Sequence, residues 1–139
     1  MREAALREGL RDTSVELSVE DVLSGEQVAR RFCDSDVLLF VRGGISSRRS
    51  SAIAGIACGL PVIASASSET APPLTDAGVV LVSLDNQEEL NAALVRVLSD
   101  SPYRQALAAR SRAVYEQSLS WPIIASSYAA RLRVDPGTS

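Results

Sequence analysis

The sequence predicts an α/β fold: a doubly wound parallel sheet of Rossmann-like type. Three observations carry that expectation. Val37-Leu38-Leu39-Phe40-Val41 is an unbroken apolar run, the pattern of a strand buried on both faces in a parallel sheet. Strand-like segments alternate with helical periodicity along the chain, the order of an open sheet wrapped by helices. A loop of glycines, serines and arginines follows the apolar run, at the carboxyl end of a strand, where such sheets hold their ligands.

The elements follow in order. Residues 2–10 predict a short helix ending near Gly9. Val15-Glu16-Leu17-Ser18-Val19 alternates apolar and polar, the pattern of a strand. Ser24 precedes the periodic run 26–32 and is its expected N-cap, with Asp36 marking the end. Strand 37–41 leads into the loop 42–51 and then a small-residue helix over 51–58, stopped by Gly59. Pro61-Val62-Ile63-Ala64-Ser65 is a strand with proline at its first position, where it is tolerated. A polar loop leads to Val79-Val80-Leu81-Val82, a fourth strand. Leu90, Leu94, Val97 and Leu98 form one helical stripe behind a cap at Asp85 or Asn86, and Tyr103, Leu107 and Val114 form another. Trp121-Pro122 breaks it, and Ile124, Tyr128 and Leu132 mark a last helix. The expected organisation is a Rossmann-like α/β domain over 1–118, a further helix over 119–133 and a tail over 134–139.

Composition narrows the chemistry. The 139 residues fit one domain, and a net charge of −3 gives no bulk attraction to nucleic acid or to a membrane surface. The longest apolar run, 52–66, is broken by Gly55, Gly59 and Pro61 and is too short to span a bilayer, so no transmembrane segment is expected. The sequence has no histidine, which removes imidazole acid–base chemistry and histidine-ligated metals. All 14 basic residues are arginine, so a Schiff base or a phosphate-loop lysine is excluded within this chain. Cys33 and Cys58 lack paired spacing and sit in apolar-periodic segments, which predicts two buried free thiols and a cytoplasmic location.

The loop carries the functional expectation. Gly43 and Gly44 allow positive φ and close backbone approach. Ser46, Ser47, Ser50 and Ser51 bring hydroxyls, and Arg48 and Arg49 bring guanidinium groups, to a helix start. Helix amides favour an anion by about 0.3–1 kcal/mol, and a hydrogen bond to a charged group adds roughly 1.5–3 kcal/mol. A phosphate is the guest this set suits. Adjacent residues at a helix start diverge, so one arginine is expected to face it. The competing expectation is a serine-capped helix with both arginines in water. Gly55 and Ala54 let the helix sit close to the sheet. Glu69, in the loop after strand 61–65, is a further binding candidate. Trp121, the single tryptophan, is expected as a core or interdomain anchor.

Four segments together carry a resemblance: Asp36-Val37-Leu38-Leu39-Phe40, Ala57-Cys58-Gly59-Leu60-Pro61-Val62, Asp85-Asn86-Gln87-Glu88-Glu89-Leu90, and Leu119-Ser120-Trp121 with Ile124 and Tyr128. Over residues 5–132 the chain resembles the C-terminal, donor-binding domain of retaining glycosyltransferases of family 4 (group 1), which have the two-Rossmann-domain GT-B architecture. The resemblance implies transfer of a sugar from a nucleotide-diphosphate sugar to an acceptor hydroxyl with retention, without metal. It assigns Arg48 and Arg49 the catalytic role of stabilising the leaving diphosphate. Two departures stand out. The family's paired glutamates would fall at Ser46 and Ala54, where no carboxylate is present. The front strand–helix units with their Arg/Lys pair, and the N-terminal acceptor domain, have no counterpart here. The chain is therefore expected to be truncated, poorly cooperative in unfolding and inactive alone, with strand 15–19 either unpartnered or paired beside 37–41. The alternatives are a non-catalytic nucleotide-sugar or phosphate-binding module and an interaction domain without ligand.

Overall fold

In a computed structural model, residues 2–83 and 85–134 are described. The order is α1 (Arg2–Gly9), α2 (Gly25–Cys33), β1 (Leu38–Gly44), α3 (Ser50–Ala57), β2 (Val62–Ser65), β3 (Val79–Leu81), α4 (Gln87–Ser99), α5 (Ser101–Val114) and α6 (Trp121–Val134). A 3₁₀ turn, Leu74–Asp76, precedes β3, and a π-helical turn, Tyr115–Leu119, joins α5 to α6. The tail beyond Val134 lies outside the described residues.

The three strands make a small open parallel sheet in the order β1-β2-β3. Leu38 pairs with Val62 and Phe40 with Ala64; Val62 in turn pairs with Val79 and Ala64 with Leu81. Successive residues of β2 point to opposite faces, and both faces are covered. Val62 and Ala64 pack with Ile45, Ala52, Ile56 and Val114 on the α3 side. Ile63 packs with Val82, Val97 and Leu107 under α4 and α5. Such two-sided burial explains why these strands read as continuous apolar runs. The fold is thus α/β, an open parallel sheet with helices on both faces, compatible with a Rossmann-like arrangement.

Local chemistry sets the helix starts. Ser24 and Gln27 form a reciprocal capping box on α2. Asn86, not Asp85, caps α4 through its bond from the Glu89 N–H. Asp100 caps α5, with Pro102 in the first turn. Gly59, at φ +75°, ends α3 in the left-handed region that suits glycine.

Four expectations are corrected. Residues 15–19 form no strand, and Val15 and Val19 are exposed. The segment does not pair with the outer side of β1, so its backbone is left to water. β1 is consequently an edge strand among the described residues, with Leu39 and Val41 40% and 45% exposed. Gly43 and Gly44 belong to β1 rather than to the loop, which contracts to residues 45–49. The cysteines are not buried: Cys33 is exposed and Cys58 partly so. Trp121 is 75% exposed and so is not a core anchor, while this exposure leaves an interdomain role open.

Candidate functional site

The carboxyl end of β1 is built from its glycines. The register with β2 shifts between Phe40 and Gly44, where a bulge turns the strand. Gly43 has φ +79°, and a Cβ there would meet the Arg49 guanidinium at 3.2 Å from Nη2. At Gly44 a Cβ would overlap the Ser67 side chain and come 2.8 Å from its backbone nitrogen. Glycine at both positions therefore lets two loops and one arginine close over the strand end.

Hydrogen bonds tie the loops after β1 and β2 together. The Ile45 N–H donates to the Ser65 carbonyl at 2.8 Å, and the Ser65 hydroxyl donates to the Gly43 carbonyl at 3.2 Å. Thr70 Oγ1 accepts from the Ser67 N–H at 2.8 Å and donates to the Ile45 carbonyl at 2.5 Å. The Ile45 side chain is fully buried in the core, so the loop is pinned from both sides. Ser46 is buried too, its Oγ accepting from the Arg48 N–H at 3.3 Å. It shapes the turn into α3.

The start of α3 differs from those of α2, α4 and α5. Arg49 occupies the N-cap in extended conformation and makes no side-chain cap. The first N–H to bond back into the helix is that of Ile53, to the Arg49 carbonyl at 3.1 Å. The preceding amides of Ser50, Ser51 and Ala52 have no capping side chain. Serine-capping of this helix, the competing expectation, is thus not what the loop does. The unsatisfied amides carry partial positive charge and favour an anion.

The two arginines diverge. The Arg49 guanidinium lies over Gly43, while Arg48 Nη1 reaches Glu69 Oε1 at 3.5 Å. Glu69 is thereby brought to the loop as the partner of Arg48. Ser47, Ser50 and Ser51 are exposed around the same helix start.

Two hollows flank this point. One of about 500 Å³ opens at the carboxyl ends of β2 and β3 and is lined by Ser65, Ala66, Leu81, Val82, Ser83 and Asp85. Ser65 links it to the loop through its bond to Gly43. The other, about 630 Å³ and largely apolar, runs between α2 and α3 with Ser50 and Ser51 at one end and Cys58 at the other. Thr70 and Asp85 gain significance only from this geometry. Thr70 lay in a segment legible as a polar loop, and Asp85 was legible as a possible helix cap.

Among the described residues no group of three His, Cys, Asp or Glu is placed to hold a metal ion. No described helix is long and apolar enough to cross a membrane. No family model matches the chain, and neither a curated protein nor a solved structure matches it.

Proposed function

We propose that the chain is a donor-binding domain that holds the diphosphate of a nucleotide-diphosphate sugar at the start of α3, as in retaining glycosyltransferases of family 4 and the GT-B architecture. The observation that carries this reading is the uncapped helix start, flanked by Arg48 and Arg49, at the carboxyl end of a parallel strand. The amides of Ser50 and Ser51 bind phosphate oxygens, with the hydroxyls of Ser47, Ser50 and Ser51 beside them. Arg49 faces the diphosphate across Gly43, where the glycine backbone allows close approach. Arg48, oriented by Glu69, supplies the second positive charge. The hollow beyond Ser65 takes the nucleoside, with Ser83 and Asp85 as acceptors for ribose hydroxyls in place of a carboxylate at Ala54.

In transfer, negative charge grows on the leaving diphosphate. Fixed amides and a guanidinium already aimed at that charge stabilise it without reorganisation. The acceptor hydroxyl and its positioning come from an acceptor-binding domain acting as partner. A second reading, a nucleotide-sugar-binding module without catalysis, is favoured by two observations: Glu69 faces Arg48, and neither Ser46 nor Ala54 supplies a carboxylate.

Calorimetric titration with UDP, GDP, ADP and inorganic pyrophosphate tests the proposal. Wild type binds at least one nucleoside diphosphate, and Arg48→Ala/Arg49→Ala weakens that binding by about 10- to 100-fold, the worth of a charge-assisted hydrogen bond. Both arginines are exposed, so the variant keeps the wild-type melt. Equal affinity in the two proteins contradicts the assignment.

A further inference from the structure

Cys33 is the last residue of α2, and Cys58 is the C-cap of α3. The two helices face each other across the apolar groove that Val28, Ala29, Ile53, Ala57 and Cys58 line. Cys58 Sγ lies 3.9 Å from the Ala29 carbonyl oxygen. That carbonyl is one helical turn before Cys33, and an α-helix directs the Cys33 N–H toward it. The fold thus brings together two thiols that the sequence keeps well apart. Burial, with the hydrogen bond and charge of the neighbouring Cys33 thiol, pushes the Cys58 thiol up to about 11.

We propose that Cys33 and Cys58 form a redox-active dithiol, which a low-molecular-weight disulfide oxidises to an intramolecular bond clamping α2 onto α3. The exposed Cys33 reacts first. Its thiolate attacks one sulfur of the small disulfide R–S–S–R, forming Cys33–S–S–R and releasing R–S⁻. The Cys58 thiolate then attacks the Cys33 sulfur, forming the Cys33–Cys58 bond and releasing the second R–S⁻. The two protein thiols lose two protons, which the two released thiolates take up. Two electrons pass to R–S–S–R, which ends as two R–SH. The clamp lies at the end of the groove away from Ser50 and Ser51, so it leaves the loop exposed while fixing the helix that carries it. Nothing in the pairing depends on what the loop binds.

The closing step needs the Cys58 thiolate, which burial disfavours, so that step is expected to quicken as the pH rises. The groups around Cys58 are Cys33 from α2, Tyr115 from the π-helical turn and Arg112 from α5, which lies over the adjacent Gly59.

The test is incubation of the full chain with oxidised glutathione, followed by mass spectrometry of the intact protein and of unreduced digests. The expected product has lost two hydrogens, carries no glutathione and yields a Cys33–Cys58 linked peptide. Cys58→Ser is expected to stop at a stable glutathione adduct on Cys33, and Cys33 is exposed enough for Cys33→Ser to fold as a control. A lasting glutathione adduct on wild-type Cys33 with Cys58 free overturns the proposal, and so does cross-linking between chains in place of the internal bond.

Discussion

Ser111 shows how one side chain joins three elements. Its fully buried hydroxyl accepts from the Gly78 N–H at 3.1 Å and donates to the Leu60 carbonyl at 2.9 Å. It thereby satisfies backbone groups just before β2 and β3 from a position on α5. Ser111→Ala leaves a buried donor and a buried acceptor without partners, a loss of about 1–3 kcal/mol for such groups. Chemical denaturation is expected to show a lower midpoint with an unchanged slope. Nothing in the local sequence marks Ser111, because both partners lie far away along the chain. Caps are the opposite case. Ser24 and Asn86 bond to amides three residues on, so their roles were legible in the sequence itself. Arg48 and Arg49 fall between. Their placement at a helix start was legible, but which one reaches Glu69 and which lies over Gly43 depends on a loop two elements downstream.

At the scale of elements, the junction of β1, α3 and the loop after β2 is governed by contacts shorter than a side chain allows. Gly44→Ala places a Cβ against Ser67, where backbone as well as side chain is in the way. The Thr70 bond to the Ile45 carbonyl is expected to break in consequence. Overpacking of this kind costs about 1–3 kcal/mol. A lowered thermal midpoint together with weakened nucleoside-diphosphate binding is the expected outcome. The core of this junction was legible: strand, small-residue helix, glycine stop and second strand all appear in the expected order. The loop was drawn too long, because glycines signal turns in sequence while here they continue β1 through a bulge. The segment 15–19 failed for a different reason. Alternation specifies which residues share a face but not whether they pair, and here the outer side of β1 is left unpaired.

At the scale of the molecule, both faces of a three-stranded sheet are covered, and the carboxyl end of β1 gathers the uncapped start of α3, Arg48, Arg49 and the exposed Ser47, Ser50 and Ser51. The fold class was legible because burial on both faces imposes apolar runs, and the helices between them impose order. The meeting of Cys33 with Cys58 was not legible, since it arises from how α2 lies on α3. The central claim is that the amides at the start of α3, with the flanking arginines, bind a diphosphate. The most direct measurement is a ¹H–¹⁵N correlation spectrum of the chain titrated with UDP, GDP and ADP. The account predicts that the amides of Ser50, Ser51 and Ala52 shift most, together with Gly43 and Gly44, and saturate with one common affinity. Saturable shifts confined to other parts of the sheet, or no shift with any of the three, would contradict it.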